Sequence, residues 1–169
     1  MTQYLLDTNI LLRAADRSSA TYSLANNVIT QIVETANECV IIPQVLIEFW
    51  FVATRLLDVN GLGWIPAQAT NYVNDLLDNF TLIAETPDIF PLWFQLVTIY
   101  NIKGKRTHDI RLLAVMKASN ITHLLTFNPD DFIPIPNITI VHPQDFRLFS
   151  TLCDNFCLWN REMLIGQDF

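Results

Sequence analysis

The stretch Tyr4-Leu5-Leu6-Asp7-Thr8-Asn9-Ile10-Leu11-Leu12 decides how the chain is read. Its first three residues are a short apolar run, the next three are polar and turn-forming, and Ile10, Leu11 and Leu12 open a second apolar segment with the character of a helix start. Strand, turn and helix in that order begin an α/β unit, and the pattern recurs outward from it. Residues 20–37 place Leu24, Val28, Ile32 and Val33 at helical spacing, and Cys39-Val40-Ile41-Ile42 then makes a buried strand stopped by Pro43. Residues 44–57 are helical in length but apolar nearly all round. Residues 66–80 form an amphipathic helix after the turn Asn60-Gly61-Leu62-Gly63, and Thr81-Leu82-Ile83-Ala84 is a third strand. Thr86-Pro87 and Thr107 are read as N-caps opening helices over 88–100 and 108–117. His123-Leu124-Leu125-Thr126 and Ile138-Thr139-Ile140-Val141 complete the strands. Strands separated by helices predict a three-layer α/β/α sandwich: a parallel sheet of about five strands, helices on both faces, every crossover right-handed.

A length of 169 residues suits one domain, read here as 1–147, with 148–169 as a C-terminal appendage that fits no further α/β unit. Ten basic residues against 17 acidic ones leave a net charge of −7, which excludes coating of nucleic acid through global positive charge. Any polyanion must therefore meet a local basic patch. The 51% hydrophobic content and mean hydropathy of +0.28 exclude a disordered chain and suggest a covered partner surface. The longest apolar stretch, 40–53, is broken by Pro43, Gln44 and Glu48, and Asp7 interrupts the N-terminal apolar residues, so neither a membrane span nor a signal-peptide core is expected. Cys39, Cys153 and Cys157 lack disulfide-framework spacing, which points to a reduced, cytoplasmic protein. Cys153 and Cys157, four apart with no third ligand nearby, read as packing thiols.

The carboxylates carry the functional signal. Ligands of parallel α/β sheets sit outside the carboxyl ends of the strands, where Asp7 stands, although an Asp there also serves as a helix cap. Glu48 lies within Val45-Leu46-Ile47-Glu48-Phe49-Trp50-Phe51-Val52, where an ionised carboxylate requires a nearby cation or a shared proton. Asp109, in Thr107-His108-Asp109, occupies the first turn of its helix, a place suited both to the helix dipole and to a ligand. Asn128 and Asp131, in Thr126-Phe127-Asn128-Pro129-Asp130-Asp131-Phe132, follow another strand's end and can converge with Asp7, or form an ordinary Asn-Pro-Asp turn. Lys103, Lys105, Arg106 and Arg111 fall within nine positions that also contain Asp109, either a phosphate-recruiting patch or a solvated loop.

Taken in order, Asp7-Thr8-Asn9, Glu48, Thr107-His108-Asp109 and Leu125-Thr126-Phe127-Asn128-Pro129-Asp130-Asp131-Phe132 resemble the PIN domain, notably its VapC-type ribonucleases, over residues 1 to about 145. The resemblance implies a metal-dependent endoribonuclease, the toxin of a VapBC-type toxin–antitoxin pair. Asp7, Glu48, Asp109 and Asp131 would be catalytic and, with Asn128, would bind Mg²⁺ or Mn²⁺. Thr8, Asn9 and Thr126 would support them by hydrogen bonds, and the local charge patch adds Lys103, Lys105 and Arg106 as groups for the RNA backbone. The resemblance also implies a homodimer and an antitoxin segment lying across the acidic groove. The chemistry is coherent, because gathered carboxylates raise one another's pKa and hard divalent ions relieve that repulsion. Phospho-acceptor receiver domains share the sheet type but need a lysine after a late strand, and no Lys follows Lys117; the haloacid-dehalogenase phosphatases need Asp-x-Asp, where Asp7-Thr8-Asn9 supplies one acid. The alternative kept open is a PIN-like RNA-binding or scaffold module without turnover. Finally, Phe49, Trp50, Phe51 and Val52 are successive residues about 100° apart on a helix and cannot share one core. A neighbouring helix, 66–80 or 88–100, or a partner chain must cover the outer ones.

Overall fold

The computed structural model describes residues 1–146. The elements in chain order are β1 (Gln3–Leu6), α1 (Thr8–Ala15), α2 (Tyr22–Glu34), β2 (Glu38–Ile41), α3 (Pro43–Thr54), α4 (Pro66–Asn79), β3 (Thr81–Leu82), α5 (Ile89–Ile99), α6 (Arg106–Ser119), β4 (His123–Leu125) and β5 (Thr139–Val141). All strand pairs are parallel, in the order β3-β2-β1-β4-β5. The chain steps outward from β1 to β2 to β3, then returns across β1 to β4 and β5. With right-handed crossovers, α1 to α4 cover one face and α5 and α6 the other. The packing agrees: α1 lies against α2 and α3, α3 against α4, and α5 against α6.

The central strands β1, β2 and β4 bury Leu5, Leu6, Val40, Ile41, Leu124 and Leu125 on both faces, as a doubly covered parallel sheet requires. Strand order reverses between β1 and β4, which opens a crevice at their carboxyl ends. The expected three-layer architecture is therefore present, and the differences are local. Residues 81–84 shorten to Thr81–Leu82 because β3 is an exposed edge paired on one side alone. The 44–57 helix starts on Pro43 and stops at Thr54, where Arg55 turns to extended backbone, so Leu56 and Leu57 lie outside it.

Neither predicted threonine cap forms. α6 starts at Arg106, after Gly104 reverses the chain at φ +60°, and Thr107 sits inside the first turn, donating its hydroxyl to the Gly104 carbonyl at 2.8 Å. Ahead of α5, Thr86 contributes its backbone carbonyl, which accepts from the Ile89 amide at 3.2 Å. The 148–169 appendage, with Cys153 and Cys157, lies outside the described residues.

Of the aromatic run in α3, Phe49 is fully buried, with Tyr72 of α4 stacked on it at 5.1 Å and Trp64 edge-on at 5.9 Å. The neighbouring helix covers that face alone. Phe51 remains 61% exposed and Ile47 68%, and on α5 Phe90 and Phe94 stand open as well.

Candidate active site

The crevice between β1 and β4 is closed by hydrogen bonds that turn polar side chains toward one point. Beyond the ladder, the Asp7 amide donates to the Leu125 carbonyl at 3.0 Å, so the two strand ends stay together. Asp7 occupies the N-cap position of α1, yet its side chain makes no capping hydrogen bond; its carboxylate is turned to other partners. Oδ2 accepts from the Asn9 amide and from the Thr126 hydroxyl, both at 2.7 Å. Thr126 is fully buried and accepts in turn from Asn9 Nδ2 and the Asn128 amide, each at 3.0 Å, while Asn9 Oδ1 accepts from the Phe127 amide at 3.0 Å. Thr126 and both ends of the Asn9 amide are thereby engaged, which holds the Oδ2 edge of the Asp7 carboxylate in one orientation.

Glu48 approaches from α3. Oε2 accepts from the Thr8 hydroxyl and Oε1 from the Gln44 amide, each at 2.8 Å. The cation expected beside Glu48 is thus one step removed. Gln44 also donates to the His108 carbonyl at 2.9 Å and accepts from Arg111 at 3.0 Å, and Arg111 in turn pairs with Glu85 at 2.6 Å. Neutral donors suffice because Ile47, Trp50 and Phe51 face outward and leave Glu48 only half-buried.

Asp109, in the first turn of α6, completes the cluster from the opposite face of the sheet, with Asp131 beside it. Burial raises the Asp7 carboxyl from 3.8 to about 6; hydrogen bonds from Thr126 and the Thr8 amide oppose the rise, and the charges of Asp109 and Glu48 add to it. Burial also raises Asp109, helped by Asp131 and Glu48 and opposed by Lys105 and His108. Asp7 thus lies in the fields of Asp109 and Glu48, and Asp109 links this group to Asp131. Asn128 enters this arrangement through its backbone amide. Among the described residues, no three His, Cys, Asp or Glu side chains stand close enough to cage an ion by themselves.

The basic segment divides. Arg106 donates from Nε and Nη2 to the Asp131 carbonyl, at 3.3 and 3.1 Å, and so fastens the Pro129–Asp131 turn to α6. Arg111 is committed to Gln44 and Glu85, whereas Lys103 and Lys105 are exposed. Gln44 is the residue that sequence reasoning overlooked. Its signal was available: an amide one helical turn before Glu48, in an otherwise apolar helix, demands buried partners. Glu85 carried no such signal.

A family model for the PIN domain matches residues 4–136. The chain belongs to the PIN domain family. Its fold is also that of solved structures of this family's VapC members. VapBC2 from Rickettsia felis, solved bound to a DNA fragment from its promoter, superposes with a TM-score of 0.63 at 21% identity, covering 83% of this chain and 98% of that one. VapBC-1 from nontypeable Haemophilus influenzae gives 0.63 at 15%, covering 85% and 99%. VapC20 from Mycobacterium tuberculosis, a Sarcin-Ricin loop cleaving toxin, gives 0.53 at 15%, covering 72% and 86%. At these identities the likeness is one of fold. No curated protein matches this PIN domain.

Proposed function

We propose that this PIN domain is a divalent-metal-dependent endoribonuclease and the toxin of a VapBC-type toxin–antitoxin pair. The observation that carries the reading is the gathering of Asp7, Glu48, Asp109 and Asp131 at the strand-order switch, with the pKa of a desolvated Asp7 raised to about 6 and no basic side chain among the described residues bonded to its carboxylate. The donor set suits Mg²⁺ or Mn²⁺, since it is all oxygen and its mutual repulsion is what a hard cation relieves. An open arrangement of this kind also matches the preference of Mg²⁺ for one or two carboxylates at a time, with water in the remaining positions. Asp7, Glu48, Asp109 and Asp131 would hold the metal, one or two of them directly and the others through its coordinated water. When bound it supplies Lewis-acid activation of water and charge stabilisation at the phosphodiester. The chain's own part is orientation: Thr126 and Asn9 aim Asp7, Thr8 and Gln44 aim Glu48, and Arg106 holds the Asp131 turn against α6. Lys103 and Lys105, exposed just ahead of α6, suit the RNA backbone, while Arg106 serves chiefly as the clamp on Asp131. The test is direct. Purified protein should cut RNA with Mn²⁺ or Mg²⁺ and stop on chelation; tight RNA binding without any cut in either metal would leave a binding module instead.

The exposed aromatics of α3 and α5 support a homodimer, and the VapBC complexes among the fold neighbours support an antitoxin partner. No helix among the described residues is long and apolar enough to cross a membrane, and the proposed site of action is the cytoplasm. Aromatic anchors of this type concentrate in the centres of interfaces. Sedimentation should give a dimer whose melting temperature rises with protein concentration, and Phe51→Glu should give a folded monomer that lacks this dependence, since Phe51 contributes little to the core. A wild-type monomer at high micromolar concentration would refute the dimer.

A further inference from the structure

A cleft of about 800 Å³ runs along α1 and reaches the carboxylate cluster at Asn9. Asn9 belongs to both: its amide donates to Asp7 Oδ2, and the same side chain lines the cleft. Arg13 follows four residues along α1, on the same helix face, and Arg17 lies in the turn beyond. Both are exposed at the cleft wall, and neither forms a salt bridge among the described residues. Asp16, the acid at this wall, lies in the field of Arg13, and its Oδ1 accepts from the Ser18 amide at 2.9 Å and hydroxyl at 2.6 Å.

The opposite wall is apolar, made by Leu57, Leu62 and Trp64 from the segment after α3. That segment is tied back to α3: the Leu62 amide donates to Val52 at 3.1 Å, and those of Gly63 and Trp64 donate to Arg55 and Ala53 at 2.9 Å. Gly61 packs so closely that a Cβ there would fall 1.9 Å from the Arg55 carbonyl oxygen. The cleft is thus pre-formed, with a cationic rim and an apolar back wall, and its size is that of a ligand site.

We infer that this cleft binds an RNA nucleotide adjoining the scissile phosphate, with Arg13 and Arg17 on backbone phosphates and a base against the Leu57, Leu62 and Trp64 wall. The inference rests on the ribonuclease reading. Charge favours RNA over a protein segment as the occupant. A polyanion approaching four carboxylates on a chain of net charge −7 needs local cations, and guanidinium groups not engaged in salt bridges match phosphate geometry. A strand crossing from α1 to the start of α6 would meet Arg13 and Arg17 on one side of the carboxylates and Lys103 and Lys105 on the other.

The experiment uses the full chain carrying Asp109→Asn, so that the probe stays whole, with and without Arg13→Ala plus Arg17→Ala. The probe is a short fluorescein-labelled RNA, followed by anisotropy across a salt series. Removing both arginines should weaken binding about tenfold and flatten the slope of log K against log salt by about 1.4, the value for two single-strand phosphate contacts. Unchanged affinity and slope would overturn the inference while leaving the ribonuclease reading intact. Failure of the Asp109→Asn parent to bind RNA, together with failure of the wild type to cut RNA in Mn²⁺, would overturn the ribonuclease reading itself. A 4-thiouridine probe should cross-link to residues 57–64; cross-links confined to other surfaces would overturn the base placement and leave the cleft to a protein segment.

Discussion

Asp7→Asn is expected to slow metal-dependent RNA cleavage by a factor on the order of 10²–10³ and, in the same molecule, to stabilise the metal-free fold. The amide keeps an oxygen to accept from Asn9 and Thr126, so the lattice at the strand ends survives while the charge goes. Loss of one preorganised electrostatic group at a reacting centre lowers kcat by on the order of 10²–10³. The stability effect follows from linkage. Burial raises the Asp7 carboxyl from 3.8 to about 6, so between those values the folded state binds more protons than the unfolded chain, and stability falls as pH rises through the interval. Below the unfolded value the penalty is absent. Above the folded value it is complete, on the order of 3 kcal/mol for a rise of this size. Asp109 contributes in the same direction, whereas Asp16 and Glu38, both lowered chiefly by hydrogen bonds, contribute stability that is lost at lower pH. The difference between wild type and Asp7→Asn isolates Asp7. Urea melts of the two metal-free proteins should converge near pH 4 and separate above pH 6, the variant being the more stable. An Asp7→Asn protein that is less stable at neutral pH would show that the carboxylate acts mainly as a hydrogen-bond acceptor.

Divalent metal should reverse that penalty in the wild type. A ligand that binds the folded state alone adds about 2.7 kcal/mol at a concentration 100 times its Kd. For a chain of this length that is a rise of about 5–10 °C in melting temperature. The rise should appear with Mn²⁺ and disappear on chelation. Asp109→Asn should melt without metal at or above the wild-type temperature, because its carboxyl is itself raised by burial and by Asp131 and Glu48, and should lose most of the Mn²⁺-dependent shift. Thermal melts of both proteins, with and without Mn²⁺, decide the matter. A variant that loses activity by melting well below the wild type would make Asp109 a structural residue of the first turn of α6.

What the residues alone determined is the order of the layers and which acids stand where burial is expected. Short apolar runs alternating with segments of helical period admit few arrangements besides a covered parallel sheet, because both faces of each central strand must be buried. Asp7 at a strand end and Glu48 in an apolar helix stood out because each is a charge where burial is expected. The sequence was silent on how these residues use their neighbours, since a hydrogen bond between Thr8 and Glu48, or between Thr126 and Asp7, joins positions 40 and 119 residues apart. Local pattern also misassigned Thr86 and Thr107 as caps, because a left-handed Gly104 and a helix start at Arg106 override threonine's capping preference. The division of the basic segment was equally a tertiary outcome. Four cations close in sequence read alike, but Arg111 meets Glu85 and Gln44 from other elements, the exposed Arg106 meets the Asp131 turn, and Lys103 and Lys105 are exposed with no side-chain hydrogen bond or ion pair among the described residues. Composition and period decide which faces are buried; which polar atoms meet across the crevice depends on strand order and on where each helix begins, and those are set only when the whole sheet is assembled.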